Sequence, residues 1–144
     1  MKELEKNVSA FLKLRTQIVC VSFGNDIGAN RWLNQNVSSS QLKMITDEKR
    51  TLYKLLGLSK SFLKVWHSET LIYYSEQVVL NRELPKAYED IQDDPHQLGG
   101  NFILEIKNTY MDQTFKMIYA YKSRNPPDRP SPKSLLEFLS QKCH

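Results

Sequence analysis

The chain is short of most features that mark a specialised function. Two cysteines in 144 residues, Cys20 and Cys143, cannot build a disulfide framework, and they fit a reducing compartment such as the cytoplasm. No apolar run approaches the roughly 18–20 residues of a membrane-spanning helix. The opening Met1-Lys2-Glu3-Leu4-Glu5-Lys6 lacks the apolar core of a signal peptide. G-x-S-x-G, a P-loop and G-x-G-x-x-G are all absent, which argues against a hydrolase. His67, His96 and His144 show no ligand spacing, so no metal and no cofactor are expected. The formal charge of +4 comes from 20 basic and 16 acidic residues mixed along the chain, leaving no basic stripe for nucleic acid. What remains is an ordinary soluble composition, 40% hydrophobic and 25% charged, with length for one domain, 1–144, and its own core.

Periodicity then orders the elements. Leu4, Val8, Phe11 and Leu12 share one face of an amphipathic helix over 2–15. No capping residue precedes it, which predicts that the domain began before Met1. Ile18–Phe23 is apolar on both faces and reads as a buried strand of a parallel sheet ending at Gly24, with Cys20 as a small core residue in its middle. Asn25 or Asp26 caps a helix through Leu33, Ser38 to Ser40 form a polar loop, and Leu42–Ile45 is a short strand. Thr46 or Asp47 caps a helix from Glu48 to Leu56, which Gly57 stops.

Residues 61–80 have helical period, with Phe62, Val65, Trp66, Ile72, Tyr73 and Val79 on one broad face. Two readings stand: a helix packed over the sheet, or a lid or partner surface centred on Trp66, Tyr73 and Tyr74. His67 is placed at the surface. Leu84-Pro85 ends this stretch and 86–97 is a polar connector. Phe102–Ile106 and Met117–Tyr121 form a hairpin around Lys107–Gln113. After the proline-rich turn 125–130, Ser131 caps a last helix with Pro132 in its first position.

The pivot of the chain is Asp93 to Leu104. Two acids and a proline close the preceding segment, and Gly99-Gly100 permits backbone angles or close approaches that a Cβ forbids, before a strand begins. His96 beside the glycines is read as a solvent-facing loop residue.

Four groups in order resemble the AhpC/TSA antioxidant, or peroxiredoxin-like 2, branch of thioredoxin-fold proteins. They are the strand Ile18–Phe23 with Gly24, the segment Asp47-Glu48-Lys49-Arg50-Thr51-Leu52-Tyr53-Lys54-Leu55-Leu56-Gly57-Leu58, the Asp94-Pro95-His96-Gln97-Leu98-Gly99-Gly100 loop, and the strand-end turn Tyr119 to Asp128 with Tyr121 and Ser123. The resemblance implies an α/β, thioredoxin-like fold in the order α-β-α-β-α-α-β-β-α, with a helical insertion at about 59–95. It also implies thiol-dependent peroxide or disulfide reduction by a cysteine motif at a strand end, just before the helix that starts at Leu4. Neither Cys20 nor Cys143 occupies that place, so the resemblance leaves no catalytic residue to name in this chain.

The strand carrying the motif would be the central one, and without it the fold is expected to be incomplete. Either the sheet closes over the gap, or a partner strand fills it, or the chain is a truncated product. By the same resemblance, Gln97, Gly99 and Gly100 border the redox site, and Asp128 and Arg129 are turn residues. Three functions are therefore weighed: a thiol oxidoreductase, a non-catalytic module using the 61–80 helix or the exposed inner sheet edge, and a fragment of a longer antioxidant enzyme.

Overall fold

In a computed structural model that describes residues 1–38, 41–82, 84, 88, 94–108 and 112–142, ten elements follow in the order α-β-α-β-α-α-α-β-β-α. The chain divides into two compact units, one formed by Met1–Leu56, Ala87–Asp93 and Pro130–His144, the other by Gly57–Lys86 and Asp94–Arg129. Each is described in turn.

In the first unit the amphipathic pattern gives α1 (Lys2–Lys13), which buries Val8 and Phe11 and packs with α6 (Pro132–Lys142), whose Leu135 and Leu139 are buried. Ser131 caps α6 as expected, its Oγ accepting from Ser134 N at 3.1 Å. The helix α1 stops two residues earlier than its pattern. Arg15 turns left-handed (φ 53°), and Thr16 N donates back to Phe11 O at 2.9 Å. Strand β1 (Val19–Ser22) pairs in parallel with β2 (Lys43–Thr46), Val19 opposite Lys43 and Ser22 opposite Thr46.

The helix between these strands, α2 (Asp26–Asn36), starts at Asn25, whose side chain accepts from Gly28 N at 2.8 Å. The parallel pairing is as read, but the burial is not: Val19 is 46% exposed and Cys20, Val21 and Ser22 are half-buried. A strand needs cover on both faces to be buried on both. Among the described residues β2 is the strand paired with β1.

Asp47 does supply the acceptor for the next helix, but that helix starts at Thr51, three residues later than the pattern places it, with Arg50 in the N-cap position. The helix α3 is only Thr51–Leu55, and the two carboxylate oxygens of Asp47 accept from Thr51 N (2.8 Å) and Tyr53 N (3.0 Å) across a turn in which Arg50 is left-handed, φ 54°. Tyr53, buried, then reaches back to β1. Its hydroxyl donates to Val21 O at 2.9 Å and its ring meets Phe23 edge-on at 5.8 Å.

In the second unit the 61–80 segment is two helices rather than one: α4 (Phe62–Val65) and α5 (Ser68–Val79). Ser61 caps the first through Lys64 N, and His67 caps the second, its Nδ1 accepting from Glu69 N at 3.4 Å. Thr70, only 1% exposed, fixes the break by donating its hydroxyl to Lys64 O at 3.1 Å. The expected shared apolar face is lost with the break. Phe62, Trp66, Ile72 and Val79 are more than half exposed, so this segment is not a helix packed face-down on a sheet.

The hairpin is longer than its apolar runs indicate. Strand β3 (Gly100–Asn108) pairs antiparallel with β4 (Gln113–Lys122), with a register irregularity between Ile103 and Leu104. Most of the polar connector 86–97, Ser39 and Ser40, the hairpin tip 109–111 and Cys143 lie outside the described residues.

Candidate functional site

The loop leading into β3 is built on Asp94. One carboxylate oxygen accepts from His96 N at 3.0 Å and lies 3.2 Å from His96 Nδ1; the other is 2.6 Å from Lys60 Nζ. The imidazole of His96 sits 5.1 Å from the Phe62 ring, so it is held by a carboxylate on one side and an aromatic ring on the other rather than hanging free in solvent. Residues 59–61 run beside 96–98 like a short antiparallel pair: Leu98 N donates to Ser59 O (3.1 Å) and Ser61 N to His96 O (2.9 Å).

Gln97 completes that pairing. Its Nε2 donates to Ser59 O at 3.2 Å and to Leu98 O at 2.9 Å, while Leu98 itself is 3% exposed. Gln97 is thus a staple between two loops, with its amide protons directed at the backbone.

The glycines serve close approach, not unusual angles. Neither Gly99 nor Gly100 has a positive φ; among the glycines Gly57 does, at 66°, as its helix-stopping position requires. A Cβ on Gly99 would run into the guanidinium of Arg129, 3.0 Å from Nη1 and 3.1 Å from Cζ. On Gly100 it would stand 2.5 Å from Tyr121 O and 2.9 Å from Phe102 Cε2. Gly99 O accepts from Ser123 N at 3.0 Å, tying the loop to the end of β4. The residues singled out as site-bordering, Gln97, Gly99 and Gly100, thus lie on one loop, with the Arg129 guanidinium against Gly99 alone of the three.

Beyond β4 the turn is organised by Asp128. It accepts from the Tyr121 hydroxyl (2.5 Å), from Arg124 N (2.8 Å) and from Arg124 Nε (3.2 Å), and its own N donates to Asn125 O and Oδ1. Burial pushes the Asp128 carboxyl up, but the Tyr121 and Arg124 hydrogen bonds outweigh it and hold the group below the ordinary carboxylate value. The same Tyr121–Asp128 bond, with burial and the carboxylate charge, raises the Tyr121 phenol. Asp128 and Tyr121, with Arg124 and Asn125, are thus turn-forming.

A depression of about 420 Å³ opens beside them, lined by Glu69, Tyr73, Arg124, Asn125, Pro127 and Asp128. Sequence reading missed this lining and the role of Lys60, because both depend on residues distant in sequence. The aromatic trio is split: Trp66 lies against Phe62 (6.3 Å), while Tyr73 and Tyr74 meet edge-on at 5.5 Å. Burial, with Tyr73 adding to it, raises the Tyr74 phenol.

Cys20 occupies the middle of β1, opposite Met44. Burial pushes its thiol up, against a weaker lowering by the N-terminal charge, so the reactive thiolate is disfavoured at neutral pH. Among the described residues no cluster of three His, Cys, Asp or Glu side chains could hold a metal ion, and no helix is long and apolar enough to cross a membrane.

Comparison with known proteins places this arrangement. No curated protein and no solved structure matches the chain. Residues 3–119 match the profile of the family described as AhpC/TSA antioxidant enzyme, a span that includes the Asp47–Leu58 segment and the 94–100 loop but stops short of the Asp128 turn and α6. With most of its length matched, and with a mixed helix-and-strand chain of the kind that a thioredoxin-like fold requires, this protein belongs to the AhpC/TSA antioxidant family.

Proposed function

We propose that these 144 residues form a thioredoxin-like body that does not itself reduce peroxides or disulfides. The observation that carries this is the setting of Cys20: mid-strand, half-buried and with its thiol pushed up, whereas the chemistry needs an accessible thiolate. The reading takes the chain as one incomplete domain, 1–144, with a helical insertion at about 59–95, acting in the cytoplasm. Where a cysteine-bearing strand is supplied ahead of α1, the same body becomes part of a thiol-dependent antioxidant oxidoreductase. Gln97, Gly99 and Gly100 then border its thiol.

The test uses the purified chain with hydrogen peroxide and dithiothreitol, alongside Cys20→Ser and Cys143→Ser. We expect peroxide loss at the protein-free rate for all three. Turnover that disappears in either serine variant overturns the proposal. A companion measurement is alkylation by iodoacetamide at neutral pH in the Cys143→Ser background. Cys20 should react at least about tenfold more slowly folded than in urea.

A second reading, a non-catalytic interaction module, is favoured by the exposure of Phe62, Trp66, Ile72 and Val79, which a helix serving only as cover would bury. Retention of a binding partner that is lost on Trp66→Ala would favour it over simple inactivity.

A further inference from the structure

We propose that the depression beside the Asp128 turn is a binding site for a free, zwitterionic α-amino acid with an apolar side chain. Its lining residues, Glu69, Tyr73, Arg124, Asn125, Pro127 and Asp128, all belong to the second unit. Its volume of about 420 Å³ lies within the ~300–1,000 Å³ of small-molecule clefts. Two elements build it. Glu69 and Tyr73 stand one turn apart on α5 and so share a face of that helix, while the other four come from the turn after β4.

What the lining leaves unpaired selects the ligand. The Asp128 carboxylate is already engaged by Tyr121 and Arg124. Arg124 is anchored to it through Nε at 3.2 Å, yet Asp128 and the Tyr121 hydroxyl take only part of its five N–H donors. No other described residue pairs with Arg124. Asn125 accepts from Asp128 N through Oδ1 at 3.1 Å, which leaves its amide nitrogen as the unused end. The Tyr73 hydroxyl has no hydrogen-bond partner among the described residues. Glu69 has only His67 Nδ1, 4.0 Å away. Glu69 and Arg124, opposite charges lining one cleft, thus do not neutralise each other.

A ligand that meets both carries a carboxylate for the Arg124 fork, with Asn125 and Tyr73 as further donors, and an ammonium for Glu69. A plain anion such as phosphate suits the donors but stands against Glu69. A plain cation suits Glu69 but stands against Arg124. The Tyr73 ring and Pro127 are the apolar walls, which favours an apolar or aromatic side chain on the ligand. The Glu69 and Arg124 side chains are 74% and 83% exposed, so binding is modest, with a dissociation constant of about 0.1–1 mM. No cysteine takes part, so this site stands or falls apart from the redox reading above.

Titration of the whole chain with L-phenylalanine to about 10 mM, followed by amide NMR shifts, tests it. We expect saturation. N-acetylphenylalanine, without the ammonium, should bind about three- to fivefold more weakly, and phenylalaninamide, without the carboxylate, at least about tenfold more weakly. Glu69→Gln should weaken L-phenylalanine about three- to fivefold and leave N-acetylphenylalanine no weaker. Arg124→Gln should weaken L-phenylalanine at least about tenfold and leave phenylalaninamide no weaker. Glu69 is exposed and lies outside the turn, so its variant keeps the circular dichroism spectrum and decides the matter even where Arg124→Gln disturbs Asp128. The proposal is overturned by L-phenylalanine that fails to saturate, by analogues or inorganic phosphate that bind as well as it does, or by an affinity that Glu69→Gln leaves intact.

Discussion

At the scale of single residues, the adjacent glycines of the 94–100 loop separate cleanly by what stands over them. A methyl on Gly99 meets the mobile end of the Arg129 side chain, which can swing away; on Gly100 it meets the Tyr121 carbonyl and the Phe102 ring, which cannot. Gly100→Ala should therefore cost about 1–3 kcal/mol in chemical denaturation, and Gly99→Ala clearly less. Equal costs would count against the geometry.

Asp128 gives a prediction with a sign. Because its carboxyl titrates below the ordinary value of 3.8, its stabilising effect is complete above that value and is lost as pH falls through its lowered one. Unfolding midpoints taken from about pH 5 to pH 2 should fall more steeply for the native chain than for Asp128→Asn. Cys20 and Tyr121 titrate above their ordinary values and carry the opposite sign. Their contributions are complete below 9.0 and 10.0 and are lost as pH climbs past them.

What sequence reading recovered at this scale is what local chemistry decides. The caps at Asn25, Asp47 and Ser131 and the stop at Gly57 all rest on a side chain or backbone within a few residues. It could not see that Gly99 makes room for Arg129, since thirty positions separate the partners and no spacing rule joins them.

At the scale of elements, a regular period proved a poor guide to continuity. The apolar spacing runs unbroken from Phe62 to Val79, so nothing in it announces the break at Trp66-His67. The break is fixed by Thr70 bonding to Lys64 O and by an imidazole acting as a cap, neither of which alters hydropathy. The hairpin was underestimated for a similar reason. Its outer residues alternate apolar with charged, and the reading kept only the continuous apolar cores.

Where an element is held by packing, the consequence is direct. Leu139 on α6 is 4% exposed and belongs to the helix pair that also buries Val8 and Phe11. Leu139→Ala should cost about 2–5 kcal/mol of stability and loosen α1 with α6, read as joint loss of amide-exchange protection in both helices. Loss of protection in α6 alone would show that the two helices do not support each other.

At the scale of the whole molecule, family membership was legible from motifs in order, and the α/β alternation came with it. The catalytic question was harder, because it turns on one cysteine whose setting, not whose presence, decides its reactivity. The partition of the chain adds something else. The first unit draws its described residues chiefly from both ends of the sequence and the second from between them, so the first cannot be cut out in one piece. On a ribosome this imposes a delay. Val8 and Phe11 are made well ahead of the helix they pack with, which begins at Pro132. At ~5–20 residues per second that wait is roughly 6–25 s. During it α1 offers its apolar face to whatever holds nascent chains, so a segment made early settles only once α6 has been made.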